Sequence, residues 1–279
     1  MTSKGLAVIT GATSGIGAAM ARKLAAMGYD LLLTGRRMDV LAAVAEDIRR
    51  AHGVAVRCHH AELSTDDGAH ALATMLRELD VEVLVNNAGF GASSRYPSCD
   101  PQQMAALARL NVLTPLALTD AVLPAMVRRH CGGIINVASE GIYLPIPANA
   151  VYSGVKSFLK TWTEGLHQDL RGTGVRVLAV CPGLTRSDFH PRMGLPQSRM
   201  VDRGPLRWMQ PEQVAEATIK AWQRGHVVCV PGIHTRVLIA AMNLLPHRGR
   251  LNVLYRFSQK AFSSSSQPPV ASAGSQPNT

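Results

Sequence analysis

Seven short apolar runs, separated by longer amphipathic segments, constrain the fold of this 279-residue chain more than any other feature. Val, Ile and Leu dominate these runs without alternating with polar residues, which is typical of strands buried on both faces of a sheet. The runs predict strands at residues 6–10, 31–34, 54–58, 81–85, 133–137, 175–181 and 227–230. The intervening segments predict helices at residues 17–27, 40–51, 69–79, 102–127, 151–170 and 211–223. This alternation predicts an α/β fold in which helices cover both faces of a doubly wound parallel sheet.

The composition fits a chain with a hydrophobic core and without a metal centre. Hydrophobic residues make up 47% of the chain, which excludes wholesale disorder. The five cysteines are widely spaced, and no CxxC pair suggests zinc or a redox dithiol. The neighbouring His59 and His60 would point to opposite faces of a strand and could not bind one ion together. Reduced thiols, and a longest late apolar stretch (residues 237–245) too short for a membrane span, favour a soluble cytoplasmic protein.

A glycine-rich turn directly follows the first predicted strand. Residues 10–17 read Thr-Gly-Ala-Thr-Ser-Gly-Ile-Gly and run into a predicted helix. Small residues let the backbone turn sharply, and the free N–H groups at a helix start attract phosphate. The spacing GxxxGxG differs from the GxGxxG of the common dinucleotide fingerprint, so a purely structural turn is the alternative. The candidate cofactor-binding residues here are Gly11, Thr13, Ser14, Gly15, Ile16 and Gly17.

The end of the second predicted strand indicates which dinucleotide would bind. An NAD site would place a carboxylate there, about 20 residues past the glycines, to bond the ribose hydroxyl. This chain has Arg36 and Arg37 instead, and two guanidinium groups can clamp a 2′-phosphate. A solvated basic corner is the alternative, but the position favours NADP as the cofactor.

A tyrosine and a lysine near the start of the predicted helix 151–170 form a candidate acid–base pair. Tyr152 and Lys156 are four residues apart, so they share one helix face. A nearby cation stabilises a phenolate and lowers the pKa of tyrosine, which suits general acid–base catalysis. An isolated pair of this kind is more often incidental. Ser139 after the fifth predicted strand, and Asn-Asn-Ala-Gly at 86–89 after the fourth, distinguish this pair from such cases.

Taken together, these motifs resemble the short-chain dehydrogenase/reductase superfamily over residues 6–232. The matching elements, in chain order, are the glycine-rich turn, Asn-Asn-Ala-Gly, Asn111, Ser139, Tyr152 with Lys156, and Pro182-Gly183 with Thr185. The resemblance implies a seven-stranded Rossmann-type sheet in a single domain, and hydride transfer between a nicotinamide cofactor and a carbonyl or alcohol. It adds further cofactor-binding residues to the candidates: Asn87, Ala88, Gly89, Tyr152, Lys156, Pro182, Gly183 and Thr185.

The same resemblance implies a role for each of four catalytic residues. Tyr152 would donate the proton in reduction, and Ser139 would polarise the substrate oxygen. Lys156 would hold the nicotinamide ribose and lower the pKa of Tyr152, while the main-chain carbonyl of Asn111 would bind a relay water. The sequence supports this last role, because Pro115 has no N–H for the carbonyl four residues earlier in a helix. A simple helix kink at Pro115 is the alternative.

Several positions depart from the family pattern or line the expected substrate cleft. Glu62 and Leu63 stand where many members have Asp-Leu beside the adenine, which makes both candidate cofactor residues. Glu140 follows Ser139 and could either contact a polar substrate group or lie solvated in a loop. The candidate pocket residues, for each of which ordinary packing is the alternative, are Phe90, Glu140, Tyr143, Leu184 and Phe189. The long loop at residues 185–208 is typical of a lid.

The positive charge is concentrated towards the C-terminus. The net charge is +10, and residues 217–279 hold seven Lys and Arg residues but no Asp or Glu. Interleaved apolar residues predict a basic amphipathic helical extension at 233–262, after a catalytic domain at 1–232. The extension could dock on the protein body, which is its commonest fate, cover the cleft, join an oligomer interface or lie on an anionic membrane. Residues 263–279 are polar and predict a disordered tail.

We expect from the sequence an NADP(H)-dependent oxidoreductase that acts on a carbonyl or secondary alcohol and reduces an apolar or acyl-type ketone. A catalytically idle NADP-binding scaffold or redox sensor is the alternative, although all four catalytic positions hold competent residues. Nucleic acid is not an expected partner, because the basic segment has no recognition motif. A small-molecule substrate and a homodimer or homotetramer are expected. The expected location is the cytoplasm, with peripheral membrane contact through residues 234–262 as an option.

Overall fold

Seven strands form one sheet in which every pairing is parallel. The computed structural model describes residues 3–92, 95–96, 98–193, 198, 200–202 and 207–262. Within these residues the strands are β1 (Leu6–Thr10), β2 (Asp30–Gly35), β3 (Val56–His60), β4 (Val81–Asn86), β5 (Gly132–Val137), β6 (Val175–Val180) and β7 (Val228–Cys229). Their order across the sheet is β3-β2-β1-β4-β5-β6-β7. The prediction of a doubly wound, seven-stranded parallel sheet is confirmed.

Helices connect the strands and cover both faces of the sheet. They are α1 (Gly15–Ala26), α2 (Met38–His52), α3 (Asp66–Arg77), α4 (Pro101–Ala108), α5 (Thr114–Arg128), α6 (Ala150–Asp169), α7 (Phe189–Arg192), α8 (Pro211–Gln223), α9 (Ile233–Asn243) and α10 (His247–Phe262). A π-helical turn at Arg109–Leu113 joins α4 to α5, and a 3₁₀ turn at Glu140–Ile142 follows β5. On one face α1, α2 and α8 bury side chains such as Met20, Leu41 and Ile219. On the other, α3 and α5 bury Leu72 and Leu118.

The strand order reverses at β1, and this reversal positions the site. β1 pairs with β2 on one side and with β4 on the other, so Val8 lies between Leu32 and Leu84. The connections after β1 and β4 therefore diverge to opposite faces and open a crevice at the carboxyl ends of the two strands. Ligands of doubly wound sheets bind at such a crevice.

The structure shifts some predicted element boundaries for identifiable reasons. The third strand begins at Val56, two residues later than predicted, because Gly53 ends α2 with a φ of 66° and the Ala55 N–H bonds to Asp30 Oδ1. The predicted helix 102–127 is interrupted by the π-helical turn. β7 has only two residues. Most of the predicted lid is described and includes α7, whereas residues 194–197, 199 and 203–206 lie outside the described residues, as does the predicted tail 263–279.

One face of α9, the first of the two C-terminal helices, is buried and the other is exposed. α9 buries Thr235, Ile239 and Met242, whereas Ile233, Val237 and Leu244 are exposed on its other side. Among the described helical segments, one from Pro101 to Arg128 is long and apolar enough to cross a membrane, and half of its most apolar window is buried inside the fold. α5, which forms most of this segment, packs against α3 and the sheet as a core helix.

Candidate active site

The glycine-rich turn joins β1 to α1 at the crevice. Gly11 and Gly15 adopt φ angles of 67° and 57°, in the left-handed region that glycine enters without a steric penalty. Ser14 precedes the helix and makes no side-chain capping bond. Its side chain therefore leaves the first N–H groups of α1 to a ligand, and the helix dipole favours an anionic one.

Asn87 holds this turn against the end of β4. Its Nδ2 donates to the carbonyl oxygens of Thr10 at 2.9 Å and Gly11 at 3.0 Å. In return, Thr10 Oγ1 accepts the backbone N–H groups of Asn87 at 3.0 Å and Ala88 at 2.9 Å. A Cβ at Gly17 would collide with Asn87 Nδ2 and with the Gly11 carbonyl oxygen. The predicted cofactor residue Asn87 thus shapes the cradle through its amide, and Thr10, which was absent from the predicted set, is its partner.

Arginines surround a small cavity beside the turn. The cavity has a volume of about 200 Å³ and is lined by Thr13, Arg36, Arg37 and Arg192. Arg37 Nη2 donates to Thr13 Oγ1 at 3.4 Å and lies 3.3 Å from Asp188 Oδ2. Three guanidinium groups around one cavity suit a phosphate dianion. Arg192, from α7, was not among the predicted residues.

Glu62 and Leu63 have different surroundings. Glu62 Oε2 lies 3.3 Å from Arg36 Nη1, and its Oε1 accepts the Ser64 hydroxyl at 2.6 Å. Desolvation raises the pKa of Glu62, but the hydrogen bonds from Ser64 and the charge of Arg36 outweigh it, so the pKa is lowered. The buried Leu63 offers its carbonyl to Thr114 Oγ1 at 2.7 Å. Glu62 therefore lies beside the arginine cavity, while Leu63 anchors the start of α5.

Ser139, Tyr152 and Lys156 come together at the carboxyl edge of β5. Ser139 Oγ accepts the Gly141 N–H at 3.1 Å, which fixes the serine at the start of the 3₁₀ turn. The buried Lys156 donates from Nζ to the carbonyl oxygen of Val137 at 2.7 Å. Its Nζ lies 6.0 Å from the centroid of the Tyr152 ring. The helical spacing predicted for Tyr152 and Lys156 on α6 thus places both beside the serine.

Burial sets the protonation of this pair. Desolvation raises the pKa of Tyr152 to about 12; a hydrogen bond from Ser139 opposes the rise and the charge of Glu140 adds to it. Desolvation lowers the pKa of Lys156 to about 8. That Lys156 lowers the pKa of Tyr152 stays a prediction: in this structure the lysine donates to Val137, and burial keeps the pKa of Tyr152 above its ordinary value. Tyr152 keeps its proton at neutral pH.

The π-helical turn gives Asn111 its special backbone. The Thr114 N–H bonds to the Arg109 carbonyl, five residues back, and Pro115 has no N–H. The donor that an α-helix would offer to the Asn111 carbonyl is therefore missing. Asn111 Nδ2 donates to the Leu107 carbonyl at 2.9 Å, and its buried Oδ1 has no hydrogen-bond partner among the described residues.

Gly89 separates Asn111 from Lys156. A Cβ on Gly89 would lie 3.2 Å from Asn111 Oδ1 and 3.5 Å from Lys156 Nζ. The glycine that ends Asn-Asn-Ala-Gly thus keeps a narrow space open beside both polar atoms. The structure brings all four predicted catalytic residues to one edge of the sheet. Asn111 lies across Gly89 from Lys156.

The carboxyl group of Glu140 points under the Pro182-Gly183 turn. The backbone N–H of Glu140 donates to the Pro182 carbonyl at 2.8 Å. A Cβ on Gly183 would lie 2.9 Å from Glu140 Oε2 and 2.7 Å from Oγ1 of the buried Thr235 on α9. Desolvation raises the pKa of Glu140 to about 7, although a hydrogen bond from the Leu184 backbone opposes the rise. The carboxylate is thus partly buried under the turn and beside α9, and not a freely solvated loop group.

The residues of the predicted substrate pocket divide into two sets. Phe189 lies against Tyr152 with ring centroids 5.7 Å apart, and Phe90 packs in the same cluster as Tyr152. Tyr143 instead packs against the cluster of Ala138, Leu159 and Cys181. That Tyr143 lines the cleft stays a prediction.

The turn after β6 holds the entrance to the lid. Thr185 is buried, donates from Oγ1 to the Gly183 carbonyl at 2.9 Å and forms a parallel bridge with Met209. Leu184 offers its carbonyl to the Met209 N–H at 2.8 Å. The bridge closes the base of the loop that carries α7. In the described part of the chain, no group of three His, Cys, Asp or Glu side chains is placed to hold a metal ion.

A buried chain of polar side chains, of which only Asn86 belongs to a sequence motif, ties the site to the sheet. Asn86 Nδ2 donates to Asn136 Oδ1 at 2.9 Å, and Asn136 Nδ2 donates to Thr163 Oγ1 at 2.9 Å. Thr163 in turn donates to the Leu159 carbonyl at 2.6 Å. This chain runs from β4 across β5 to α6, so it fixes the helix that carries Tyr152. A polar residue inside an apolar strand, such as Asn136, was the available signal.

Comparison with known proteins agrees with this geometry. Residues 5–195 match the family model for short chain dehydrogenases. An uncharacterised oxidoreductase of Staphylococcus saprophyticus is 33% identical over 233 residues, which cover 83% of this chain and 96% of that one. A very-long-chain 3-oxoacyl-CoA reductase of Laccaria bicolor is 35% identical over 61% of this chain and 52% of that protein. A short-chain dehydrogenase from Sphingobium yanoikuyae, solved in complex with NADPH, superimposes with a TM-score of 0.78 at 27% identity and covers 96% of this chain and 99% of that one.

The family match spans the glycine-rich turn, the Asn-Asn-Ala-Gly segment and the Ser139, Tyr152 and Lys156 cluster. These are the parts of the chain that the fold brings to the crevice between β1 and β4. The chain therefore belongs to the short-chain dehydrogenase/reductase family and is an oxidoreductase with a site for a nicotinamide cofactor.

Proposed function

We propose that this protein is an NADPH-dependent reductase of an apolar or acyl-type ketone. The observation that carries the proposal is the placement of Tyr152 beside Ser139 and Lys156, in the same crevice as the arginine cavity. A proton donor beside a dinucleotide site is what carbonyl reduction requires.

The cofactor preference follows from charge. Thr13, Arg36, Arg37 and Arg192 would hold the 2′-phosphate, and the turn at Gly11–Gly17 with the first N–H groups of α1 would hold the pyrophosphate. The Sphingobium relative was solved with NADPH, which supports the same choice here. When bound, the reduced nicotinamide supplies a hydride to the carbonyl carbon.

The residues of the chain supply the proton and orient the oxygen. Ser139 Oγ would donate a hydrogen bond to the substrate oxygen, and the Tyr152 hydroxyl would give that oxygen its proton as the alcohol forms. Lys156 carries its charge at neutral pH because its pKa is about 8, and this charge would stabilise the transient phenolate. Asn111, with no α-helical donor for its carbonyl, would hold the water that returns a proton.

The walls of the cleft favour an apolar substrate. Phe189 covers Tyr152, and Phe90 belongs to the same apolar cluster. The 3-oxoacyl substrate class named for the Laccaria relative carries a ketone on an apolar chain, which supports an acyl-type ketone here. A catalytically idle scaffold is less well supported, because the competent residues Ser139, Tyr152 and Lys156 are assembled at one site.

Initial rates of NADPH and NADH oxidation with propiophenone, isatin and ethyl benzoylacetate test the proposal. We expect turnover of at least one ketone, with kcat/KM for NADPH at least about 10-fold above that for NADH, since one charge-assisted contact to a phosphate contributes roughly 1.5–3 kcal/mol. Equal values for the two cofactors would contradict the NADPH assignment. No oxidation with any ketone would favour the scaffold.

We also propose two kinds of partner. The first is further copies of the chain in a homodimer or homotetramer, which is typical of the family. The second is an anionic membrane surface, contacted by the exposed stripe of α9 that consists of Ile233, Val237 and Leu244 and is flanked by Arg236. Exposed apolar side chains bordered by arginine complement the apolar interior and the negative charge of such a surface.

A further inference from the structure

The lid helix α7 touches both halves of the crevice. On the cofactor side, a Cβ on Gly15 would lie 2.9 Å from Ser187 Cβ, so the loop before α7 rests on the glycine-rich turn. On the catalytic side, Phe189 lies against Tyr152. Met193, at the end of α7, covers Gly91 so closely that a side chain there would collide with its sulfur. The segment from Ser187 to Met193 therefore contacts both the glycine-rich turn and the catalytic tyrosine.

Helix α7 also contributes a positive charge to the arginine cavity. Arg192 lines the arginine cavity with Arg36 and Arg37, which come from the end of β2. Asp188 Oδ2 lies 3.3 Å from Arg37 Nη2 and 3.5 Å from Arg192 Nη2, so one carboxylate bridges the two arginines. These side chains are each about half exposed, at 42% for Arg37, 45% for Asp188 and 49% for Arg192, which leaves them accessible to a ligand from solvent.

We propose that Arg192 is a third ligand of the cofactor 2′-phosphate, delivered by the lid, and that Asp188 occupies the place of the phosphate until the cofactor binds. This inference rests on the proposed use of NADPH. A phosphate carries more negative charge than a carboxylate and offers three acceptor oxygens, so it replaces Asp188 on both arginines. The 2′-phosphate then bridges β2 to α7 and seats Phe189 over Tyr152. NADH lacks that phosphate and therefore cannot link α7 to the end of β2.

Binding measurements separate this role from a structural one. Titration calorimetry with NADPH and NADH on wild type, Arg192→Met and Arg192→Lys gives affinities without any substrate. We expect Arg192→Met to weaken NADPH binding by roughly 10-fold, which is the worth of one charge-assisted contact, and to leave NADH binding unchanged. Arg192→Lys recovers part of the loss. Asp188→Asn, which removes the competing carboxylate, strengthens NADPH binding only.

Arg186→Met is the matched control, because Arg186 lies on the same loop, is exposed and does not line the cavity. Hydrogen exchange of the peptide that contains α7 gives the second readout: NADPH, but not NADH, should slow exchange in wild type, and Arg192→Met should abolish the difference. If wild type prefers NADPH while Arg192→Met matches Arg186→Met, the role of Arg192 is overturned and the NADPH assignment stands. If wild type binds both cofactors equally, the NADPH assignment itself is overturned.

Discussion

The carboxyl group of Glu140 acts electrostatically on the proposed proton donor and is only partly exposed to water. It is enclosed by the Pro182-Gly183 turn and by Thr235 of α9, and its charge acts on Tyr152. Desolvation raises its pKa from 4.5 to about 7. Ionising Glu140 in the folded protein is therefore unfavourable, and the stability of the protein must depend on pH through this residue.

Glu140→Gln should remove that pH dependence. Protonated Glu140 favours the folded state, so its contribution is fully present below pH 4.5 and is lost as the pH rises through about 7. From pH 5 to pH 8 we expect the free energy of unfolding of the variant to rise relative to wild type by on the order of 2 kcal/mol. Urea unfolding at the two pH values measures the change. The exposed Glu78→Gln is the control, and the same difference at both pH values would contradict the burial of the Glu140 charge.

Single residues were predicted well where a short motif carries the chemistry. Ser139, Tyr152 and Lys156 lie together because helix spacing and the parallel sheet bring them to one edge. Arg192 and Asp188 were missed because only tertiary folding of the loop brings them to Arg37, more than 150 residues away in the chain. Tyr143 packs against a neighbouring core cluster, which an aromatic residue near a site can do as readily as line a cleft.

The sequence predicted which segments form strands and long helices, but it did not predict the irregular helical segments. The seven strands follow from apolar runs, but the π-helical turn at Arg109–Leu113 needs the register of Pro115 and the packing around Thr114. The short helix α7 lies in a stretch interrupted by Pro and Gly, where no periodicity could indicate it. Both irregular elements contact the site, as expected where local rules give way to function.

The exposed stripe of α9 gives a test of the membrane proposal. The side chains of Ile233, Val237 and Leu244 are 65%, 59% and 86% exposed, so changing all three to Ser should not disturb the fold. Removal of the whole helix would uncover the core beneath Ile239 and is less informative. We expect the triple variant to lose most of its cosedimentation with vesicles that contain phosphatidylserine.

Met38→Ser, a change at another exposed apolar residue, is the control and should bind vesicles as wild type does. Absence of wild-type binding to anionic vesicles would contradict the proposal. A change in oligomeric state of the triple variant, measured by light scattering and without any change in vesicle binding, would assign the stripe to an interface between copies of the chain instead.

For the whole molecule, the net charge of +10 has separate locations with different consequences. Arg36, Arg37 and Arg192 surround the cavity that fits a phosphate, while the C-terminal helices carry most of the remaining excess. The positive charge is therefore concentrated at the arginine cavity and on the C-terminal helices α9 and α10. The Pro182-Gly183 turn that follows β6 lies between Glu140 and Thr235 of α9, so the C-terminal region begins beside the catalytic residues.

Tyr152→Phe tests whether Tyr152 donates the proton when NADPH reduces a carbonyl. The measurement is the rate of NADPH oxidation with the ketone that wild type turns over best, together with the Kd for NADPH. We predict that the variant binds NADPH as wild type does and loses at least about 100-fold in kcat/KM, as expected when a general acid is removed. A variant that retains the wild-type rate with unchanged NADPH binding would show that Tyr152 is not the proton donor.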